Sequence, residues 1–212
     1  MNITRRGMVK GFGAGLVLVG AGGSLSLEGC TAGDEFINIL NLMEPAIDGV
    51  VLIVNLVDPP LGTVIQVGVT IFDQEIPVIT KIYNDWVAAS AAAQPGFLTQ
   101  LEAALAVLRQ DALTILTGAH VTDPAHQTAI GFIINAVLSE ITEIASLIVS
   151  AKAGGGTPSA AAKVVKRTSL GKPVVSASAF RSKLVSQLTW KSGNAQLDAT
   201  CAQIAQKVKA AS

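Results

Sequence analysis

Aromatic residues are scarce in this chain: six Phe, two Trp and one Tyr make up 4% of 212 residues. Surfaces that bind bases or sugars rely on aromatic faces, so this composition counts against both. Histidine and cysteine are nearly absent, with two of each. No Cys-x-x-Cys, Walker loop, G-x-S-x-G or Glu-x-x-His motif occurs, so catalysis has no recognisable motif to rest on. Charge is thin as well: 14% of residues are charged and 50% are hydrophobic, with a mean hydropathy of +0.52. Ala, Val, Leu and Ile dominate what is present. Such a composition favours helices packed through aliphatic seams.

The N-terminus departs from the rest. Arg5, Arg6 and Lys10 make a cationic start, and Gly11 to Leu27 carries no charge. That run is short and glycine-rich for a membrane span, which needs roughly 20 apolar residues. It reads as the apolar stretch of a signal peptide. Gly11, Gly13 and Gly15 follow no strand and are no nucleotide loop. Thr4-Arg5-Arg6-Gly7-Met8-Val9-Lys10 resembles the twin-arginine export motif, and Leu27-Glu28-Gly29-Cys30 resembles a lipobox. Together they resemble the precursor of an exported bacterial lipoprotein, although Glu28 departs from the small or apolar residue usual beside the cysteine. The resemblance implies export through Arg5 and Arg6, folding before translocation, and lipidation of Cys30. It also implies a lipid anchor in the membrane on the periplasmic side of the envelope. Thr31 after the cysteine resembles an outer-membrane sorting context. Ordinary signal-peptidase cleavage and an uncleaved anchor are the alternatives to lipidation.

Net charge is zero, yet it is unevenly divided. Between Thr31 and Ala151 the cations are Lys81 and Arg109, against thirteen acids; from Lys152 onward ten Lys or Arg face only Asp198. The chain beyond the leader is thus an acidic body with a basic tail.

Helical periodicity organises the body. Phe36, Leu40, Met43, Ile47, Val50, Val54 and Val57 form one stripe, with Asp34 as a candidate N-cap. Leu61, Ile65, Gly68, Phe72, Ile76, Ile79, Tyr83 and Trp86 form a second. Leu98, Leu101, Leu105, Leu108, Ala112 and Ile115 form a third, and Ile130, Ile133, Val137, Ile141, Ile144 and Ile148 a fourth. Pro45 and Pro77 should kink or divide the first two helices. The expected fold is mainly α: an antiparallel up-down four-helix bundle over 31–151 after a signal peptide over 1–30. The run Gly154-Gly155-Gly156-Thr157-Pro158 opens a flexible basic linker over 152–178, and 179–212 is a basic, partly helical tail. Residues 50–72 alternate enough to permit a β-hairpin instead. Both Val50–Val57 and Val64–Phe72 are apolar nearly all round, which implies deep burial, self-association or contact with a membrane surface.

Few residues are candidates for chemistry. His120, Asp123 and His126 cluster in one turn and are weak metal candidates. A helix C-terminus, an N-cap and an exposed first turn account for them better, and no cofactor is expected. The acids Glu44, Asp48, Asp73, Glu75, Glu140 and Glu143 read as solvated helix faces. Cys201 lies on an apolar stripe and reads as a buried small hydrophobe. Its rival role is a disulfide with Cys30, which lipidation would forbid. The tail cations Lys163, Lys166, Arg167, Lys172, Arg181, Lys183 and Lys191 would either dock on the acidic body or reach an anionic envelope component or protein. Export argues against nucleic acid. The expected function is a non-enzymatic envelope lipoprotein acting as a structural or protein-interaction module, with a homo-oligomer among its partners. The alternative is a carrier holding a small hydrophobic ligand in the bundle core.

Overall fold

A computed structural model describes residues 28–90, 92–153 and 176–211, with side chains from residue 35 onward. Arg5, Arg6 and the segment 154–175, which carries Lys163, Lys166, Arg167 and Lys172, lie outside the described residues. The described chain is helical and contains no strand. Six helices follow one another: α1 Glu28–Asn55, α2 Pro59–Ala88, α3 Gln94–Gly118, α4 Pro124–Ala153, α5 Ala177–Leu188 and α6 Ala195–Ala210.

Residues 50–72 are therefore helical on both sides of a short turn, and the hairpin is excluded. Asp58 ends one helix and starts the next. Its side chain accepts a hydrogen bond from Leu61 N–H at 2.9 Å, while Pro59 and Pro60 occupy first-turn positions where no N–H partner is needed. Pro45 and Pro77 sit inside α1 and α2 without dividing either helix. Asp34 does not cap α1, because that helix begins at Glu28. Gln94-Pro95 likewise opens α3, with proline in its first turn.

The four stripes are the core. Every stripe residue of α3 and α4 is buried, as are Phe36, Leu40, Met43, Ile47, Val50 and Val54 of α1. On α2 the stripe residues Ile65, Phe72, Ile76, Ile79 and Trp86 are buried, as is Val69 off the stripe, while Leu61, Gly68 and Tyr83 are half-buried. Val57, the last residue of the first stripe, falls in the turn after α1 and is exposed. Packing follows chain order. α1 lies on α2, α2 on α3, α3 on α4, and α4 returns to α1.

α1 buries a second face. Ile39, Leu42, Ala46 and Ile53 are also fully enclosed. The cover comes from the C-terminal helices, since α5 packs on α4 and α1, and α6 on α1 and α5. Phe180, Leu184 and Leu188 of α5 and Leu197, Cys201, Ile204 and Val208 of α6 are buried in that layer. The close approach needs a small residue on α1, because a Cβ on Gly49 would come within 2.7 Å of the Ile204 side chain. The turn between α5 and α6 uses Gly193 at φ +83°, a left-handed conformation that other residues adopt at a cost.

Docking of the tail is thus mainly apolar. Among the described residues no ion pair within 4 Å joins α5 or α6 to α1–α4. Charge contributes at one helix end instead: Ala177 N–H donates to Glu35 Oε2 at 2.6 Å, placing a carboxylate at the positive end of α5. Leu184→Ala and Ile204→Ala should each lower unfolding free energy by about 2–5 kcal/mol in chemical denaturation, the usual cost of emptying a buried site. A change below about 0.5 kcal/mol, typical of a surface position, would show that the tail is not part of the core.

Candidate interaction surface and buried ionisable groups

α2 packs on α1 and α3, and its outer side is exposed. That side carries Val64 (65% exposed), Val67 (62%), Ile71 and Val78. Val64, Ile71 and Val78 are seven residues apart, and Val67 lies three after Val64. This is the spacing of a seam made for another helix. No charged residue occurs from Pro59 to Phe72.

Beside these valines lies a groove of about 520 Å³ between α2 and α3, bounded by Thr63, Val64, Val67, Gly68, Ile115 and Gly118. Gly68 and Gly118 line it, and their lack of a Cβ lets α2 and α3 approach closely beneath it. A Cβ on Gly118 would meet Ile65 at 3.0 Å, and one on Gly68 would meet Ile115 at 3.3 Å. The rim is chemically apolar despite its threonines. Thr63, Thr70 and Thr114 each donate their hydroxyl to the backbone carbonyl four residues earlier, at 3.3, 2.8 and 2.9 Å. Their methyl groups are what a partner would meet.

Two acids depart from the solvated role expected of such residues. Glu140 is only 5% exposed, on the side of α4 that meets α5. Burial pushes its carboxyl up to about 7; Glu143 adds to the shift and Lys183 of α5 opposes it. Asp73 of α2 is half-buried and is also pushed up to about 7, first by burial and then by Asp48 and Glu44 across the α1–α2 seam. Its Oδ1 is buried with no hydrogen-bond partner among the described residues. Glu140 could have been found in the sequence, since Ile133, Val137, Glu140 and Ile144 continue the helical stripe.

The turn before α4 is structural in its contacts. His126 is 2% exposed, not exposed as its position in the first turn implied. It continues the stripe of Ile130 and Ile133 upstream. Its Nδ1 lies 2.6 Å from Asp123 Oδ1, and its backbone N–H donates to the same oxygen at 2.9 Å. Both contacts hold the Asp123 carboxyl below the usual range. His120 is exposed, and no group of three His, Cys, Asp or Glu side chains that could hold a metal occurs among the described residues. Cys201 is a free, buried thiol whose pKa burial raises. The backbone of Cys30 lies in the first turn of α1, and its side chain is outside the described residues. Of the tail cations, Arg181 donates to Ala211 O at 2.7 Å, while Lys183 and Lys191 are exposed.

The raised carboxyls fix a pH dependence. Between roughly pH 4.3, the ordinary value for Glu, and about pH 7, the folded chain keeps a proton at Glu140 that the unfolded chain has lost. Stability therefore falls as pH rises through this window and levels off above it. Glu140→Gln should flatten the fall and make the chain more stable than wild type at pH 8, measured as the urea midpoint. Equal midpoints for the two proteins at pH 5 and pH 8 would contradict the burial of this carboxyl.

The chain matches no protein-family model, no curated protein and no solved structure.

Proposed function

We propose that this chain is an exported, lipid-anchored, non-enzymatic interaction module of the cell envelope, built on an antiparallel up-down four-helix bundle. The observation that carries the interaction reading is the uncharged outer face of α2, where Val64, Val67 and Ile71 stand exposed beside a glycine-floored groove. Apolar patches of this kind mark sites of association.

The bundle reading rests on three contacts that join the start of one helix to the end of the next. Phe36 of α1 stacks on Tyr83 of α2 with ring centroids 4.4 Å apart. Ile65 of α2 approaches Gly118 of α3. Lys152 of α4 donates to Glu102 of α3 at 2.7 Å. Antiparallel neighbours joined by short loops make such contacts. Anchoring and export rest on Cys30, Arg5 and Arg6 alone. The exposed cations of the tail, among them Lys183 and Lys191, would meet an anionic envelope component.

One observation favours a carrier as the second reading. The α2–α3 groove has a volume within the roughly 300–1,000 Å³ range of ligand pockets. The site would then be this surface groove rather than the bundle core. A carrier should release a bound apolar molecule in native mass spectrometry after gentle extraction, and a bare chain would count against it.

Metabolic labelling with a clickable fatty acid tests the anchor. Wild type should incorporate label, Cys30→Ser should not, and replacing both Arg5 and Arg6 by Lys should leave an unprocessed, unlabelled precursor. A labelled Cys30→Ser chain would refute lipidation at that residue. A photo-crosslinking residue at Val64 in intact cells tests the interaction module. It should yield a discrete adduct, and its failure to do so would remove the main support for the reading.

A further inference from the structure

We propose that the occupant of the α2 face is a second copy of this chain, bound two-fold so that α2 of each copy lies antiparallel to α2 of the other across the groove. The inference rests on the interaction reading above and names its partner.

Four features of the face select a second copy. First, the knob and the hole lie within one turn. Val67 protrudes with 62% of its surface exposed, and the adjacent Gly68, with Gly118 and Ile115, lines the hollow. A two-fold contact needs the same patch to be complementary to itself, with residue i meeting j and j meeting i. An antiparallel crossing centred on Val67 and Gly68 satisfies this. It puts Val67 of each copy over the hollow of the other and sets Val64 against Ile71.

Second, the seven-residue spacing of Val64, Ile71 and Val78 matches the facing surface of a helix. A small ligand seated in the groove would meet Val64 and Ile71, which line it, and would leave Val78 in water.

Third, charge restricts where two copies can meet. The body is strongly acidic, with thirteen acids against two cations from Thr31 to Ala151. Two such bodies repel through most faces. The centre of the face, Pro59–Phe72, carries no charge, and the antiparallel crossing sets Asp73 and Glu75 beyond it opposite Gly62 and Pro60, so that neither lies opposite another acid of α2. The same absence disfavours a lipid surface, because helices lying on membranes carry Lys or Arg beside their apolar side and often Trp. Pro59–Phe72 has none of these.

Fourth, the area suffices. From Pro59 to Val78 α2 rises about 29 Å. With the rim of α3, one helix spacing away, the face is about 20 Å wide. That covers roughly 600 Å² on each copy, or about 1,200 Å² in total, which reaches the lower end of stable interfaces.

Cysteine cross-linking of the full chain in intact cells tests the arrangement. Val67→Cys, near the two-fold axis, should give a disulfide-linked dimer on mild oxidation. Val149→Cys, equally accessible but on α4, should not, and neither should wild type with its own two cysteines. Adding Ile71→Glu to Val67→Cys should reduce the dimer band at least tenfold without reducing the amount of processed chain. Should Val67→Cys fail to accumulate, Val64→Cys makes the same test with Ile71→Cys as its partner position. If no dimer forms while the photo-crosslinking residue at Val64 still gives an adduct of another mass, the second copy is refuted and the interaction module stands. If neither dimer nor adduct forms, both are refuted.

Discussion

Burying a wide apolar face of one helix requires several neighbours, and α1 is the helix to which this requirement applies. Ile39, Leu40, Leu42, Met43, Ala46, Ile47, Val50 and Ile53 are all enclosed, and at 3.6 residues per turn they spread over nearly half of the helix circumference. α2 and α4 can cover only part of that circumference. α5 and α6 cover the rest. The C-terminal helices are therefore a structural necessity of α1's sequence, however far along the chain they lie. By length and composition Glu35–Asn55 could also cross a membrane, as could Pro124–Ala153. Within this fold Glu35–Asn55 is mostly buried, and Pro124–Ala153 buries its apolar stripe against its neighbours while its other side is exposed.

The division into acidic body and basic tail invites an electrostatic account of docking, and magnitudes argue against one. Exposed ion pairs contribute roughly 0–1 kcal/mol each, whereas burying one Leu or Ile side chain contributes roughly 1.5–3 kcal/mol. The tail seats seven such apolar side chains, from Phe180 to Val208. Lys183 acts on Glu140 at a distance, softening the cost of a carboxyl that α5 itself helps to bury. Electrostatics tunes the seam, and hydrocarbon makes it.

The helices were legible in the sequence because their stripes are long and regular. The stripes of α3 and α4 are buried residue for residue as the spacing requires. Two kinds of feature were hidden. One is the burial of polar residues that fall on a stripe: Glu140 and His126 read as surface residues by type, yet lie at core positions by spacing. Residue type is a weaker guide than periodicity when a helix has neighbours on two sides. The other is which apolar run would be covered. Val50–Val54 and Val64–Ile71 are both uncharged and rich in β-branched residues. Nothing in either run records which helix arrives later in the chain to cover it.

That difference is the source of the candidate site. α1 acquires four helical neighbours and α2 only two, so similar β-branched runs become core in one helix and surface in the next. The exposed run nonetheless keeps the marks of a packed face. Its spacing is helical, its threonine hydroxyls are satisfied within their own helices, and its glycines line a hollow in register with a protruding valine. A face selected only for solvent would need neither the spacing nor the hollow, whereas threonines bonded back to their own helix occur on other exposed faces of this chain as well. The coincidence of spacing and hollow on an uncharged stretch of α2 is best explained by a partner helix. The part of α2 left bare by the intramolecular fold is the part shaped for an intermolecular one.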